Sequence, residues 1–292
     1  MQARRIGDRL ELMRLRLYHH SDAARIAYRE AGTGPPMVLL HSLGLSHREY
    51  QPIVKTLASR FRVVIPDLPL HGDSEDRPDH PYTSEWLLEV LAGFCAATAG
   101  QRAALVGHGI GAELALQLVT SERYQPARLV LLTNRLHHQI GHAAGVRGGW
   151  KGVMGLASVP GLDLVISHGV GLVARPVLGQ RLTAARNPEA QDLIRHAFSD
   201  VAGNRARARA WAKFVRGWPS EARLELLEAY PRLELPVLLL WSPLDRTAPI
   251  EWAQEAVRLL PDGDLRTLPD TGFLVAYDDP VGLARELVSF CG

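Results

Sequence analysis

The sequence has little that would suit an extracellular or a membrane protein. Its two cysteines, Cys95 and Cys291, are far apart and match neither a disulfide framework nor a zinc site. The amino-terminal segment is charged and lacks the apolar core of a signal peptide. The longest weakly charged stretch, 152–174, is interrupted by Pro160 and Asp163 and is a poor candidate for a membrane span. We therefore expect a cytoplasmic protein that does not enter a membrane.

An excess of charge of either sign is also missing. The 292 residues have a formal net charge of +2, and 47% of them are hydrophobic. Because nucleic-acid binding normally requires an excess of basic residues, we expect no nucleic-acid partner. The composition is that of an ordinary globular protein. We expect a small molecule as the partner and no cofactor, and a homodimer is left open.

Short apolar runs that end in turn residues predict a buried sheet. Continuous apolar runs are typical of parallel strands that are covered on both faces. Helical patterns lie between the runs, and this alternation predicts a doubly wound, mostly parallel α/β fold with right-handed crossovers. The predicted strands are 37–41, 62–67, 103–107, 128–133, 236–241 and, more weakly, 265–268, with an antiparallel hairpin at 14–20 and 24–30. The predicted helices of the core are 84–98, 110–122, 250–260 and 280–290.

The interval 134–222 interrupts this alternation, because it contains helical patterns and glycine-rich loops but no convincing strand. We predict that it is an inserted helical cap and that 1–133 and 223–292 form the α/β core. Such an insertion should lie over the carboxyl ends of the strands, where open α/β sheets bind their ligands.

Five segments, in order along the chain, resemble the landmarks of the α/β-hydrolase family. The segment LLHSLGLS (39–46) is similar to the family's His-Gly loop, and PDLPLHGDS (66–74) resembles its Asp-x-Pro-Gly-x-Gly-x-Ser loop. The segment GHGIG (107–111) resembles the nucleophile elbow, a sharp turn from strand to helix. The segments LLWSPLDRTAP (239–249) and LPDTGFLVAYDDP (268–280) resemble the loops that carry the acid and the histidine of the family's triad.

The residues at the decisive positions depart from the family's pattern. Gly109 stands at the elbow position, where the family has a nucleophile, and Phe273 stands where the resemblance places the histidine. Ser42 replaces the glycine of the His-Gly loop, and only Asp245 keeps the chemical group of its triad position. Acyl-enzyme chemistry needs a nucleophile and a base within hydrogen-bonding reach. We therefore predict that no Ser-His pair operates here.

Glycine explains how the elbow can survive without its nucleophile. A non-glycine residue with the elbow's positive φ costs about 1–3 kcal/mol, whereas glycine adopts such angles freely. Gly109 would therefore keep the turn and relieve its strain. A single engineered inactivation is the alternative, but it would not have replaced the histidine by Phe273 as well.

The remaining groups of the expected site can still do non-covalent chemistry. By resemblance, the backbone N–H groups of Leu43 and Ile110 point into the pocket and can hold a carbonyl or enolate oxygen. Asp245 would lie beside an apolar ring, and such burial raises the pKa of a carboxyl group. Asp245 is then a general acid or base with a shifted pKa, or it has another partner, such as Arg246 or backbone N–H groups. A loop-capping aspartate is the structural alternative.

Several histidines lie near the predicted site. His108 precedes the elbow residue and is either a core residue or a displaced base, and His41, at the mouth of the site, either contacts ligand or is structural. His71 is expected to be a loop residue. His137, His138 and His142 open the cap, but no carboxylate or cysteine accompanies them at ligand spacing, so we predict no metal site.

A cap helix is predicted over 204–218. At 100° per residue, an apolar face carries Trp211, and Arg207 lies on the same face. Arg207 could pair with a carboxylate or phosphate of the ligand, or extend its charged end to water. That apolar face also includes Phe214, Val215 and Trp218, and the basic residues of the opposite face are Arg205, Arg209, Lys213 and Arg216.

Three functions are compatible with this sequence. The leading one is a non-hydrolytic enzyme of the lyase, cyclase or isomerase type that acts on a small apolar molecule with a carbonyl group. Its catalytic candidates are Asp245, Leu43, Ile110 and His108, and its binding candidates are His41, Ser42, Gly109, Arg207, Trp211 and Phe273. The alternatives are an inactive protein that binds a small molecule and a hydrolase that uses water and a displaced base. The resemblance alone suggests an accessory enzyme of secondary metabolism.

Overall fold

The computed structural model describes residues 13–77, 79–139, 183–184, 187–197, 204–219, 221–245 and 247–292. Its strands are β1 (Arg14–His19), β2 (Arg25–Ala31), β3 (Pro36–Leu40), β4 (Arg62–Pro66), β5 (Ala104–Gly107), β6 (Arg128–Leu132), β7 (Val237–Trp241) and β8 (Gly263–Thr267). Its helices are α1 (Gln51–Ala58), α2 (Ser84–Ala99), α3 (Ile110–Thr120), α4 (Pro188–Ala197), α5 (Arg205–Gly217), α6 (Glu225–Ala229), α7 (Ile250–Val257), α8 (Val275–Asp278) and α9 (Pro280–Cys291). Two short 3-10 helices are His47–Tyr50 and Tyr230–Arg232.

The strands form one sheet in the order β1-β2-β4-β3-β5-β6-β7-β8. β1 pairs antiparallel with β2, and β2 pairs antiparallel with β4. All other neighbours are parallel, as between β3 and β5. The predicted doubly wound, mostly parallel sheet and its leading hairpin are therefore confirmed.

Both faces of the sheet are covered by apolar side chains, as the continuous apolar runs predict. Along β3, Val38 and Leu40 join the apolar cluster that includes residues of α2 and α3. Met37 and Leu39 join a second cluster, which includes residues of α1 and α9. Successive side chains of a strand point to opposite faces of the sheet. When both faces are covered, every side chain of the strand is buried, so the whole strand is apolar.

The helix predicted at 204–218 is present as α5, and its predicted apolar face is buried at Trp211, Phe214 and Trp218. α4 and α5 are the helices of the predicted cap that the structure describes, and both lie between β6 and β7 in the chain. The boundaries of the cap stay a prediction, since most of 140–203 lies outside the described residues. No helix in the described ranges is both long and apolar enough to cross a membrane.

Candidate functional site

The predicted elbow connects β5 to α3. Gly109 has φ 53° and ψ −118° and directly precedes the first residue of α3. A Cβ at Gly107 would lie 2.4 Å from the carbonyl oxygen of Gly111, and a Cβ at Gly111 would lie 2.3 Å from that of Leu40. Real Cβ atoms do not approach an oxygen so closely, so this tight turn depends on its glycines. The architecture of the elbow is therefore intact.

The space beside Gly109 is bordered by Ser42 and Phe273. A Cβ at residue 109 would lie 3.0 Å from the Cβ of Ser42, and 3.4 and 3.7 Å from Cζ and Cε2 of Phe273. The first distance is tighter than ordinary van der Waals contact. A side chain at residue 109 would therefore press on Ser42 and would meet Phe273 at ordinary contact distance.

Ser42 does not take over the role of the nucleophile in this arrangement. Its side chain is fully buried, and its hydroxyl donates to Oε2 of Glu49 at 3.0 Å. The backbone N–H of Ser42 donates to the same oxygen at 2.7 Å. A serine nucleophile needs a base that accepts its proton, whereas Ser42 is hydrogen-bonded to a carboxylate that also anchors its own backbone.

Glu49 and His108 form a buried pair beside the elbow. Nδ1 of His108 is hydrogen-bonded to Oε1 of Glu49, and the side chains of both residues are at most 3% exposed. Burial by itself raises the pKa of Glu49, but the charge of His108 and the hydrogen bonds from His108 and Ser42 outweigh burial and lower it. Glu49 is therefore an ionised acceptor and His108 donates from Nδ1. Nε2 of His108 is buried and has no hydrogen-bond partner among the described residues.

The ring of Phe273 packs against the imidazole ring of His108. The centroids of the Phe273 and His108 rings are 4.3 Å apart. Phe273 belongs to the loop before α8 and is itself half-buried.

Asp245 is a buried carboxylate with one engaged and one unengaged oxygen. Its Oδ1 accepts the backbone N–H of Thr247 at 2.8 Å, which is the backbone partner that the sequence left open. Its Oδ2 is buried and has no hydrogen-bond partner in the described part of the chain, from which Arg246 is excluded. Burial raises the pKa of Asp245, and the hydrogen bonds of Thr247 and the charge of His108 offset this only in part.

The two expected oxyanion donors lie at the ends of neighbouring strands. Leu43 follows β3 in the loop and is 47% exposed, whereas Ile110 is the first residue of α3 and is buried. The first N–H groups of a helix have no partner within it, so the amide of Ile110 can serve a ligand. The role of both residues stays a prediction.

His41 and His71 are engaged in the packing of two loops. Nδ1 of His41 is bonded to the carbonyl oxygen of Ser42 at 2.8 Å, and its Nε2 accepts the N–H of Leu68 at 2.9 Å. Both ring nitrogens are therefore used, which favours the structural interpretation of His41. His71 stands edge-on to His41, with ring centroids 5.1 Å apart, and burial lowers its pKa to about 3.

Arg207 does not extend its charged end to water, because it contacts the loop that follows β4. It is 8% exposed, and its Nη2 donates to the carbonyl oxygens of Leu70 at 3.4 Å and Gly72 at 3.1 Å. Its Nε lies 3.5 Å from Oδ2 of Asp76. Trp211, one turn further along α5, packs on His71 with ring centroids 4.8 Å apart. Both residues thus dock α5 on the loop that follows β4, and their contact with a ligand stays a prediction.

Two carboxylates that the sequence analysis did not single out lie beside histidines. Glu49 follows His41 by eight positions on a 3-10 turn, and no motif marks it as a partner of His108. Glu255 of α7 lies beside His137 and His138, with its Oε2 3.6 and 3.3 Å from their Nε2 atoms. The three form a group that could hold a metal ion, so the reason for excluding one, the lack of a carboxylate, does not hold in space. His142 lies outside the described residues.

The strand order, the elbow and the loops that follow β7 and β8 together define the α/β-hydrolase architecture. The model of a family described as "Alpha/beta hydrolase family" matches residues 37–286. The chain therefore belongs to the α/β-hydrolase family.

Relatives with different names share this fold. The chain is 30% identical to a protein of Rhodobacter capsulatus named "Magnesium-chelatase 30 kDa subunit", over 88% of this chain and 87% of the relative. It is 27% identical to a pimeloyl-[acyl-carrier protein] methyl ester esterase of Methylococcus capsulatus, over 89% and 96% of the two chains. A thermophilic esterase from Thermogutta terrifontis superposes with a TM-score of 0.73 at 22% identity, covering 95% of this chain and 97% of the esterase. At that identity the likeness concerns the fold alone.

Proposed function

We propose that this protein binds a small, largely apolar molecule with a carbonyl group above Gly109 and forms no covalent bond to it. The observation that carries the proposal is the closeness of Ser42 and Phe273 to the point where a side chain of residue 109 would begin. Glycine supplies no attacking atom, and a side chain at this position would require Ser42 to shift. The elbow then serves as part of a binding site.

The backbone of the elbow supplies the polar contact for such a ligand. The amides of Leu43 and Ile110 would donate to its carbonyl oxygen, as oxyanion donors do in acyl transfer. Backbone donors are fixed by the fold and do not depend on a triad. Loss of the nucleophile and histidine therefore leaves this part of the site usable.

The relative of Rhodobacter capsulatus suggests which ligand to test first. Its printed name connects it with a magnesium chelatase. A chelatase acts on a molecule that encloses a metal ion, and a porphyrin, a planar apolar macrocycle with a chelating centre, is the first candidate ligand that we would test with this chain. A porphyrin has two apolar faces and peripheral carboxylates, so aromatic side chains such as Trp211 and Phe273 would contact the ring while backbone amides hold an oxygen.

Protoporphyrin IX binding to the full chain tests this proposal. We expect quenching of tryptophan fluorescence and a shifted porphyrin absorption band, with a dissociation constant of about 1 µM or lower. Trp211→Ala should weaken binding about tenfold or more, since aromatic anchors dominate such contacts. Trp252→Ala is the matched control, because Trp252 lies on α7 and stacks on His138, and it is not among the side chains beside Gly109.

Two measurements decide the outcome: the affinity for protoporphyrin IX and the chemical identity of the porphyrin that is extracted after incubation. Porphyrin that is extracted unchanged after incubation agrees with a binding protein. Failure to bind at tens of micromolar, or equal weakening by Trp211→Ala and Trp252→Ala, would contradict the porphyrin assignment. Testing carbonyl-bearing apolar ligands of other shapes with the same two variants then separates the wrong ligand from the wrong site.

A second candidate function is non-hydrolytic acid-base catalysis, which the two unengaged buried atoms favour. A carboxylate that holds Nδ1 of an imidazole leaves Nε2 as a base, and Glu49 holds His108 in this way. Asp245, with its raised pKa, can act as the acid. In an isomerisation, Nε2 of His108 would remove a proton from the carbon next to the carbonyl, and the amides would hold the enolate oxygen. Asp245 would then donate a proton to another carbon of the ligand.

Deuterium incorporation distinguishes catalysis from binding alone. A bound carbonyl compound incubated in D₂O should gain deuterium at the carbon that receives the proton from Asp245, as measured by mass spectrometry. Glu49→Gln and Asp245→Asn should each abolish the gain, while ligand affinity stays within about threefold. Tight binding without any gain of deuterium would exclude this second candidate and leave the first intact.

A further inference from the structure

His137, His138 and Glu255 meet on the core side of the chain segment that leads into the cap. The two histidines follow β6, and Glu255 lies on α7, so residues more than 110 positions apart in the sequence come together. One ligand atom of each residue lies within 4.8 Å of the others. Three such groups around one point are a minimal set of ligands for a transition metal.

The distances suit a common metal ion. Zn²⁺ holds imidazole nitrogens and carboxylate oxygens at about 2.0–2.2 Å, so tetrahedral ligands lie about 3.3–3.6 Å apart. Oε2 of Glu255 lies 3.3 Å from Nε2 of His138 and 3.6 Å from Nε2 of His137. The described structure gives Nε2 of His138 no hydrogen-bond partner, although the carboxylate is so near. The pair is thus close without being aligned for a hydrogen bond.

The surroundings hold the two imidazoles in this orientation. The two histidines lie in a turn, and their ring centroids are 4.1 Å apart. Nδ1 of His137 is 3.4 Å from the hydroxyl of Tyr230, a contact that directs Nε2 toward Glu255. His138 stacks on Trp252 with ring centroids 4.4 Å apart and an angle of 12°. A metal ligand is typically fixed by such neighbours.

The group is partly open to solvent. The side chain of His137 is 4% exposed, that of His138 is 24% exposed and that of Glu255 is 53% exposed. A metal could enter from the side of Glu255, and a water molecule could fill the fourth position. Burial lowers the pKa of both histidines, which keeps them in the neutral form that binds metals.

A second group of potential metal ligands differs from the first because its carboxylate is already used in hydrogen bonds to the backbone. His47, Asp67 and Asp73 also lie near one another. The carboxylate of Asp67, however, already accepts the backbone N–H groups of His47 at 2.6 Å and Asp73 at 3.0 Å, and Nδ1 of His47. Its oxygens are therefore used to hold two loops. Among the described residues, the carboxylate of Glu255 contacts the two imidazoles and holds no loop backbone.

We propose that His137, His138 and Glu255 form a site for a divalent transition-metal ion of the Zn²⁺ class. Two imidazoles and one carboxylate suit Zn²⁺ and its neighbours, whereas Mg²⁺ and Ca²⁺ prefer oxygen ligands. The ion fastens the start of the predicted cap to α7 of the core. The proposal is independent of the ligand proposed for the elbow.

Zn²⁺ titration of untagged, chelator-treated protein tests the site by calorimetry, with Co²⁺ absorption in the visible range as a second readout. We expect one ion per chain with a dissociation constant of about 1 µM or lower. Glu255→Gln and His138→Ala should each weaken binding about 100-fold. Zn²⁺ should also raise the unfolding temperature of the wild type but not that of either variant.

His80→Ala is the matched control. His80 also stands beside a carboxylate, with Nε2 3.8 Å from Oε2 of Glu75, and stacks on a tryptophan, Trp86, but it has no second imidazole beside it. We expect His80→Ala to bind Zn²⁺ like the wild type. Equal loss in His80→Ala and His138→Ala, unchanged binding in Glu255→Gln, or wild-type binding no tighter than about 100 µM would each overturn the proposal.

Discussion

Substitution of Gly109 by alanine adds one methyl group at the elbow and tests how much room the protein leaves for a side chain at this position. Gly109→Ala places a Cβ at φ 53°, a strain that costs about 1–3 kcal/mol in a non-glycine residue. The same Cβ would lie 3.0 Å from the Cβ of Ser42, and such overpacking costs about 1–3 kcal/mol more. We therefore expect Gly109→Ala to lose about 2–6 kcal/mol of unfolding free energy in urea denaturation. At roughly 2 °C per kcal/mol for a chain of this size, the unfolding temperature should fall by about 4–12 °C.

Gly100→Ala separates strain from crowding. Gly100 has φ 71°, but a Cβ there would meet nothing within 4 Å, so its substitution should cost only the strain of about 1–3 kcal/mol. Ser42→Gly should recover part of the extra loss when it is combined with Gly109→Ala, because the two side chains would be in contact. If Gly109→Ala is no more destabilising than Gly100→Ala, the space beside the elbow is open and the reasoning is refuted.

Three further predictions concern the pH dependence of stability. Burial by itself raises the pKa of Asp67, but the hydrogen bond and charge of His47 outweigh burial and lower it from 3.8 to about 2. The stabilisation by Asp67 is therefore complete above pH 3.8 and lost as the pH falls through 2, so Asp67→Asn should cost about 2 kcal/mol at pH 7 and little near pH 2 in urea denaturation. Burial lowers the pKa of His71 from 6.5 to about 3, so wild-type stability should fall as the pH drops from 6.5 toward 3. His71→Phe should reduce that slope, and an unchanged slope would show that His71 is hydrated. The raised pKa of Asp245 means that its ionisation opposes folding above its unfolded value of 3.8, so Asp245→Asn should be more stable than the wild type at pH 7. That advantage should disappear below pH 3.8. Thermal unfolding of both proteins at pH 7 and at a pH below 3.8 measures it, and a lower unfolding temperature of Asp245→Asn at pH 7 would contradict the prediction.

The features that local residues determine could be predicted from the sequence. The strands follow from apolar runs that tolerate burial on both faces. The elbow follows from Gly107 and Gly111, where a Cβ would collide with backbone, and from Gly109, which has a positive φ. The apolar face of α5 follows from the period of 3.6 residues. In each case, the side chains of one segment are enough to specify the local structure.

The features that join distant segments could not be predicted in the same way. Glu49 reaches His108, and Glu255 reaches His138, only because the sheet order brings their elements together. Arg207 donates to backbone carbonyl oxygens. Because every residue has such an oxygen, no pattern of side chains in the sequence predicts that contact. Such partners depend on tertiary packing, which periodicity and motif spacing do not contain.

The central claim is that the elbow persists while covalent hydrolytic chemistry is gone. Intact-mass measurement after incubation with a reactive fluorophosphonate tests it most directly, alongside turnover of a generic ester by the same sample. The account predicts no adduct and no turnover above that of a heat-denatured control. One adduct per chain that disappears in Ser42→Ala, or ester turnover that disappears in His108→Gln, would contradict it.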